Sequence, residues 1–281
     1  MYRRVIVGVD GHGGGRDAAA FAAGLGADEL VLAHVVDGSG VDGLLERERD
    51  LIALDGRLET IEAPTAGAGL VLLAEELTAD LLVVGSPRAA RPGRVAFGET
   101  GRYVSHHAGC AVALPPRDFR LGDRRLDTIG VGYDGAPESE GAVRAAAKLA
   151  TERGADLRLL AVVAPTDPFA PGRPQRLRSL AAGALLAVAP DAEVQIVRGN
   201  PRGELTRFSE RVDLVCIGAR RCNSTRASLL GGVSEHLARH AACPLLVTPW
   251  RAAYVDLRLA PVPGAERESA HAPSSRLPGT T

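Results

Sequence analysis

The chain is short of aromatic side chains. Phe, Tyr and Trp make up 4% of its 281 residues, with a single Trp and a single Met. Its hydrophobic share of 46% must therefore be carried by Val, Leu, Ile and Ala, so a core of small aliphatic groups is expected. Lysine is nearly absent as well: Lys148 is the only one, and the positive charge is almost all arginine. With 33 basic and 34 acidic residues the formal net charge is −1. That balance gives no reason to expect nucleic acid or an anionic membrane as partner. No apolar run is long enough to span a bilayer. The start, Met1-Tyr2-Arg3-Arg4-Val5, leads straight into a strand without the apolar region of a signal peptide, so the expected compartment is the cytoplasm. The four cysteines, Cys110, Cys216, Cys222 and Cys243, form no Cys-x-x-Cys pair and lack zinc spacing. They read as small core residues.

What the chain does have is a repeat. Residues Leu81 to Pro116 align without a gap with Leu214 to Pro249, matching Gly85 with Gly218, Gly98 with Gly231 and Cys110 with Cys243. The offset is 133 at each. Val5 to Asp10 pairs in the same way with Ile129 to Asp134, at an offset of 124. A repeat this long is a duplicated domain rather than a solenoid. In the first unit, apolar runs predict strands at Val5–Asp10, Leu30–Val36, Arg57–Ala63, Leu81–Val84 and Ala111–Leu114, with helices between them. In the second unit the strands are Ile129–Tyr133, Leu157–Val163, Glu193–Val197, Leu214–Ile217 and Leu245–Val247. Strands alternating with helices predict two tandem, doubly wound, five-stranded parallel sheets. The expected division is 1–116, a connector at 117–127, a second unit at 128–250 and a tail at 251–281. The tail, rich in Pro, Ser, Ala and Gly, reads as disordered.

Such sheets bind ligands beyond the carboxyl ends of their strands, where the strand order reverses. Asp10 and Gly85 fall at that edge in the first unit, Asp134 and Gly218 in the second. From Gly218 a polar loop is expected, Ala219 to Ser228, before Gly231-Gly232 opens a helix. A strand, a glycine, a loop and a glycine at a helix start can cradle a phosphate, because the first N–H groups of the helix are free and its dipole favours an anion.

Other motifs fail on inspection. His12-Gly13-Gly14-Gly15 copies a hydrolase oxyanion tetrapeptide, but the required Gly-x-Ser-x-Gly elbow is missing: His236 stands at the last glycine of Gly232-Val233-Ser234-Glu235-His236. Arg16 occupies the third glycine of a dinucleotide fingerprint. These glycines are instead expected to form a flexible loop over the first strand. His236 and His240 lie one helical turn apart, but without an acidic partner at a metal-binding spacing they read as solvated or interface residues. Equivalent placement leaves open a disulfide between Cys110 and Cys243, against the expectation for a reducing cytosol.

Taken together, the strand-end aspartates, the glycine-rich stretches and the ending Gly-Val-Ser-Glu-x-x-Ala-Arg-His-Ala-x-Cys-Pro-Leu-Leu-Val make the chain resemble a tandem universal stress protein over residues 1–250. The resemblance implies two adenine nucleotide alpha hydrolase-like domains related by a pseudo-two-fold axis, joined through their fifth strands as subunits of the family often are. It also implies a cytoplasmic stress-response protein that binds rather than catalyses. In nucleotide-binding members the aspartate bonds adenine, and a Gly-x-x-Gly, nine residues, Gly-Ser/Thr stretch wraps ribose and phosphates. Carried over, this implies a second-half site at Asp134, Val163, Gly218, Arg220, Gly231, Gly232, Val233 and Ser234, which departs from the pattern at Arg221 and Gly232. The ligand implied is ATP with magnesium, bound weakly or not at all. The first half keeps Asp10, Gly85 and Gly98, but Pro87, Arg88 and Glu99 depart from the pattern, so it is expected to bind no triphosphate. A scaffold engaging an unknown protein, a further homodimer and a slow ATPase stand as alternatives.

Overall fold

The computed structural model describes residues 2–36, 43–119, 125–165, 172–221, 228–229 and 231–249. Cys222, the proline-rich stretch 166–171, part of the connector and the tail lie outside the described residues. The first half runs β1 (Tyr2–Gly8), α1 (Gly13–Leu25), β2 (Ala27–Val36), α2 (Leu44–Ile52), β3 (Arg57–Glu62), α3 (Ala66–Glu76), β4 (Leu81–Val83), α4 (Glu99–His107) and β5 (Ala111–Leu114). The second runs β6 (Thr128–Tyr133), α5 (Pro137–Arg153), β7 (Asp156–Val163), α6 (Arg173–Leu186), β8 (Glu193–Arg198), α7 (Pro201–Phe208), β9 (Leu214–Gly218), β10 (Arg220–Arg221), β11 (Ser228–Leu229), α8 (Gly232–His240) and β12 (Leu245–Thr248).

Ten strands form one continuous sheet in the order β3-β2-β1-β4-β5-β12-β9-β6-β7-β8. Each half is parallel, and among the described residues the only antiparallel pairing in the sheet is β5 with β12, where Leu114, Ala113 and Val112 face Leu245, Leu246 and Val247. The fifth strands therefore cover each other's edge within one chain, as expected. Helices cover both faces, so central strands are buried on both sides and read as unbroken apolar runs, such as Leu81-Leu82-Val83 and Ala111-Val112-Ala113-Leu114. Alternate residues split between the faces: Val5, Val7 and Leu159 join one core with Phe21, while Ile6, Leu82 and Leu160 join the other with Leu237. The duplication extends to side-chain contacts. Asp80 accepts the N–H groups of Arg3 and Arg4 at the start of β1, and its equivalent Asp213 accepts those of Asp127 and Thr128 at the start of β6.

The seam between the halves is not symmetric. Arg102 and Glu235 hold equivalent positions in α4 and α8, yet they are opposite charges and pair across the axis at 3.3 Å. Nearby, Arg94 pairs with Glu210 at 2.9 Å and the Val95 N–H donates to the Ala241 carbonyl. At the connector, Asp17 of α1 accepts the Asp118 N–H at 2.9 Å, and Phe119 packs edge-on against Phe21. Burial raises the Asp17 carboxyl to about 6. Arg16 makes two 2.8 Å bonds to the buried carboxylate of Glu48, fastening α1 to α2.

Two expectations are corrected. Gly13, Gly14 and Gly15 do not form a loop; they are the first turn of α1. Glycine is a poor helix former, but here closeness decides: a Cβ on Gly14 would lie 2.6 Å from the Ser86 carbonyl oxygen. The stretch Ala219 to Ser228 is not all loop, since Arg220–Arg221 pairs antiparallel with Ser228–Leu229. Cys110 and Cys243 are not joined by a disulfide. Each precedes one of two antiparallel strands, which puts them at opposite ends of the pair, about 20 Å apart.

Candidate functional site

Each half has a cleft where its strand order reverses, between β1 and β4 and between β6 and β9. Both strand-end aspartates turn back on their own loops: Asp10 Oδ1 accepts the His12 N–H, and Asp134 Oδ1 accepts the Ala136 N–H, each at 3.0 Å. The glycines ending the fourth strands also have a packing duty. A Cβ on Gly85 would meet the Gly14 carbonyl oxygen at 1.8 Å, and one on Gly218 would meet that of Glu138 at 2.2 Å. Only glycine lets the opening turns of α1 and α5 lie against the sheet there.

The first cleft encloses about 220 Å³ and includes Asp10, Gly14, His34, Gly85, Pro87, Gly98 and Glu99. Its loop is closed by its own hydrogen bonds. The N–H groups of Ala90, Gly93 and Arg94 donate to the carbonyls of Pro87, Arg117 and Arg91, and that of Val95 crosses the seam. Ala96 donates to Ser86 Oγ, which in turn donates to the Pro115 carbonyl. Arg117 bonds the carbonyls of Arg88 and Ala90, and Arg88 Nη2 lies 2.8 Å from His12 Nδ1. Pro87 packs where a Cβ on Gly98 would point, and the acidic residue in the first turn of α4 is Glu99. Phosphate cradles work through free N–H groups. Here those of Ala90, Gly93, Arg94, Val95 and Ala96 are already donated, and a carboxylate stands at the helix start.

The second cleft is larger, about 300 Å³, within the range of small-molecule sites. It brings together Asp134, Gly218, Gly231, Gly232, Val233 and Ser234 from the expected set. Val163 is not among its lining residues: strand alternation turns it into the opposite core, and Val162 and Ala164 line the cleft instead. Arg220 lies in β10, next to the lining residues Ile217 and Gly218. Ala219 stands where the first half has Ser86 and has no hydroxyl to fasten a loop; its N–H donates to the Thr248 carbonyl. Gly231 caps α8 in extended conformation with no side chain bonded across the first turn. Tyr133 also lines the cleft, and its buried hydroxyl has no hydrogen-bond partner among the described residues.

A profile of the Universal stress protein family matches residues 58–115 and 125–249, more than half of the chain. The chain belongs to the universal stress protein family. Universal stress protein Rv2624c of Mycobacterium tuberculosis is 26% identical over 275 residues, spanning 87% of this chain and 96% of its own. Universal stress protein Rv2319c of the same species is 28% identical over 202 residues, 66% of this chain and 69% of its own. A solved universal stress protein from Archaeoglobus fulgidus superposes with a TM-score of 0.68 at 15% identity, over 88% of this chain and 98% of its own. At that identity the likeness is one of fold.

Within this universal stress protein, two cations that motif reading missed stand at the second cleft. Arg173 of α6 lines it, and Arg202 of α7 places Nη2 2.9 Å from where a Cβ on Gly232 would sit. Neither belongs to the glycine pattern, so only tertiary packing reveals them. Burial, then His240 and Arg202, hold the His236 ring below its usual pKa, and His236 stacks on His240 with centroids 4.2 Å apart. Among the described residues no group of three or more His, Cys, Asp or Glu side chains is arranged to hold a metal ion, and no helix is long and apolar enough to cross a membrane.

Proposed function

We propose that this universal stress protein is a cytoplasmic regulator acting by binding rather than turnover, holding an adenine nucleotide weakly in its second repeat and none in its first. The division into repeats at 1–116 and 128–250, joined by 117–127, belongs to the same reading. The observation that carries it is the difference at the two helix starts. The first cleft presents Glu99 at the start of α4, whereas the second opens onto the start of α8 with no carboxylate at Gly232. Asp134 would hold the adenine end, and Gly231, Gly232, Val233 and Ser234 the ribose and phosphates, with magnesium arriving on ATP itself. The residues fit that group: the cleft combines a glycine-lined helix start with nearby guanidinium groups. The first repeat serves as a structural partner, since Arg94 and Val95 of its loop reach across the seam to Glu210 and Ala241.

Thermal unfolding with increasing Mg-ATP tests the reading. The melting temperature should rise with ligand, because a ligand bound only by the folded state stabilises it by mass action, and the rise should vanish in Asp134→Ala. A melting temperature indifferent to ATP would leave the protein as a scaffold.

A further inference from the structure

We infer that Arg202 and Arg173 are the phosphate-recognising residues of the second repeat, so that this cleft selects phosphorylated adenine nucleotides over adenosine. The inference rests on the nucleotide reading above and adds to it the ligand's charge and the side chains that read it.

The two halves make the argument by position. Helices α3 and α7 both begin on a capping side chain, Thr65 and Asn200, which bond the N–H groups of Ala68 and Arg202. Two residues past the cap the first half has Gly67, whose missing Cβ would be 2.7 Å from the Tyr103 Cβ. The second half has Arg202 there, facing the start of α8, and His236 in place of Tyr103. One residue into α4 and α8 the first half has Glu99 and the second Gly232. Equivalent places thus exchange a carboxylate and a neutral contact for a guanidinium and an open helix start. Position 232 lacks the hydroxyl that the family pattern carries, and Arg202 stands over that gap.

A guanidinium presents a planar fork of donors that matches phosphate oxygens, and the free N–H groups of a helix N-terminus add to it. The cleft also holds Asp134 and Glu138. These carboxylates disfavour a bare anion, so a nucleotide that sets its base against the acidic end suits the site better than inorganic phosphate. Arg202 is exposed, so replacing it leaves the core untouched.

The test titrates the full chain, and its Arg202→Gln and Arg173→Gln variants, with ATP, adenosine and tripolyphosphate at two salt concentrations. A hydrogen bond to a charged group contributes about 1.5 kcal/mol or more, roughly a factor of ten in affinity. ATP should bind at least tenfold tighter than adenosine. Each variant should weaken ATP about tenfold and leave adenosine unchanged, and Arg202→Lys should recover part of the loss. Salt should weaken ATP and spare adenosine. If ATP binds but neither variant weakens it, or adenosine binds as tightly, the inference is wrong and the nucleotide reading survives. If neither ATP nor adenosine binds the unaltered protein, both fall. Tripolyphosphate binding as tightly as ATP would overturn nucleotide selection, because the adenine would then contribute nothing.

Discussion

The two clefts descend from one duplicated unit and still share their framework, yet they differ in the side chains set around them. Both have an aspartate turned back on its own loop and a glycine that lets a helix approach the sheet. In the first, Ser86, Arg88 and Arg117 tie the loop shut, and Glu99 heads the helix. In the second, Ala219 ties nothing by its side chain, and Arg173 and Arg202 bring positive charge. The glycine that ends each fourth strand therefore has a packing duty in both copies, whatever its cleft binds. The residues that report function are those whose charge or donors differ between the copies.

The largest effect should come from the shared glycines. Gly85→Ala and Gly218→Ala each force a Cβ into a backbone carbonyl, and each should cost about 3 kcal/mol in urea unfolding. If Gly218→Ala kept full stability and only lost ligand, the packing account of that glycine would fail. Next in size is the pH dependence of Asp17, whose second-half equivalent is Gly141. Its folded pKa of about 6 lies above its ordinary 3.8. The native state thus keeps a proton that the unfolded chain has released. Its contribution to stability is full below about pH 4, falls by about 2 kcal/mol as pH rises to about 6, and is flat above. Asp17→Asn should flatten that slope; an unchanged slope would assign it to other groups.

Ser86→Ala makes the first loop resemble the second. It removes a buried hydroxyl that donates to Pro115 and accepts from Ala96, for a loss of about 1.5 kcal/mol. It should not create ATP binding while Glu99 remains, which calorimetry on the variant can check. The smallest effect lies at the seam. Glu235→Arg would set three guanidiniums together, with Arg102 and Arg239, where one carboxylate now bonds both. A loss of about 1 kcal/mol is expected, given the exposure of the pair. Adding Arg102→Glu should restore most of it; a double variant no better than the single would show that the pairing across the axis does not matter.

Most of the fold was legible in the chain. Runs such as Leu81-Leu82-Val83 and Leu214-Val215-Cys216, each closed by a glycine, read as doubly buried strands, and the constant offset of 133 announced the second copy. The departures of the first cleft from the family pattern were legible at Pro87, Arg88 and Glu99, because each changes a donor, a backbone freedom or a charge. The helical turn at Gly13 to Gly15 was not, since local propensity argues against it and only the carbonyl of Ser86 explains it. Placing Val163 in the cleft neglected the two-residue period of a strand, which turns Val162 inward instead. Arg173 and Arg202 were out of reach for another reason: they come from α6 and α7, far from the glycine pattern in sequence.

The most direct test of the difference between the clefts is the stoichiometry of Mg-ATP binding, measured by calorimetry on nucleotide-stripped protein alongside Asp10→Ala and Asp134→Ala. One site per chain, lost in Asp134→Ala and unchanged in Asp10→Ala, is the predicted result. Two sites, or one that survives Asp134→Ala and disappears with Asp10→Ala, would contradict it.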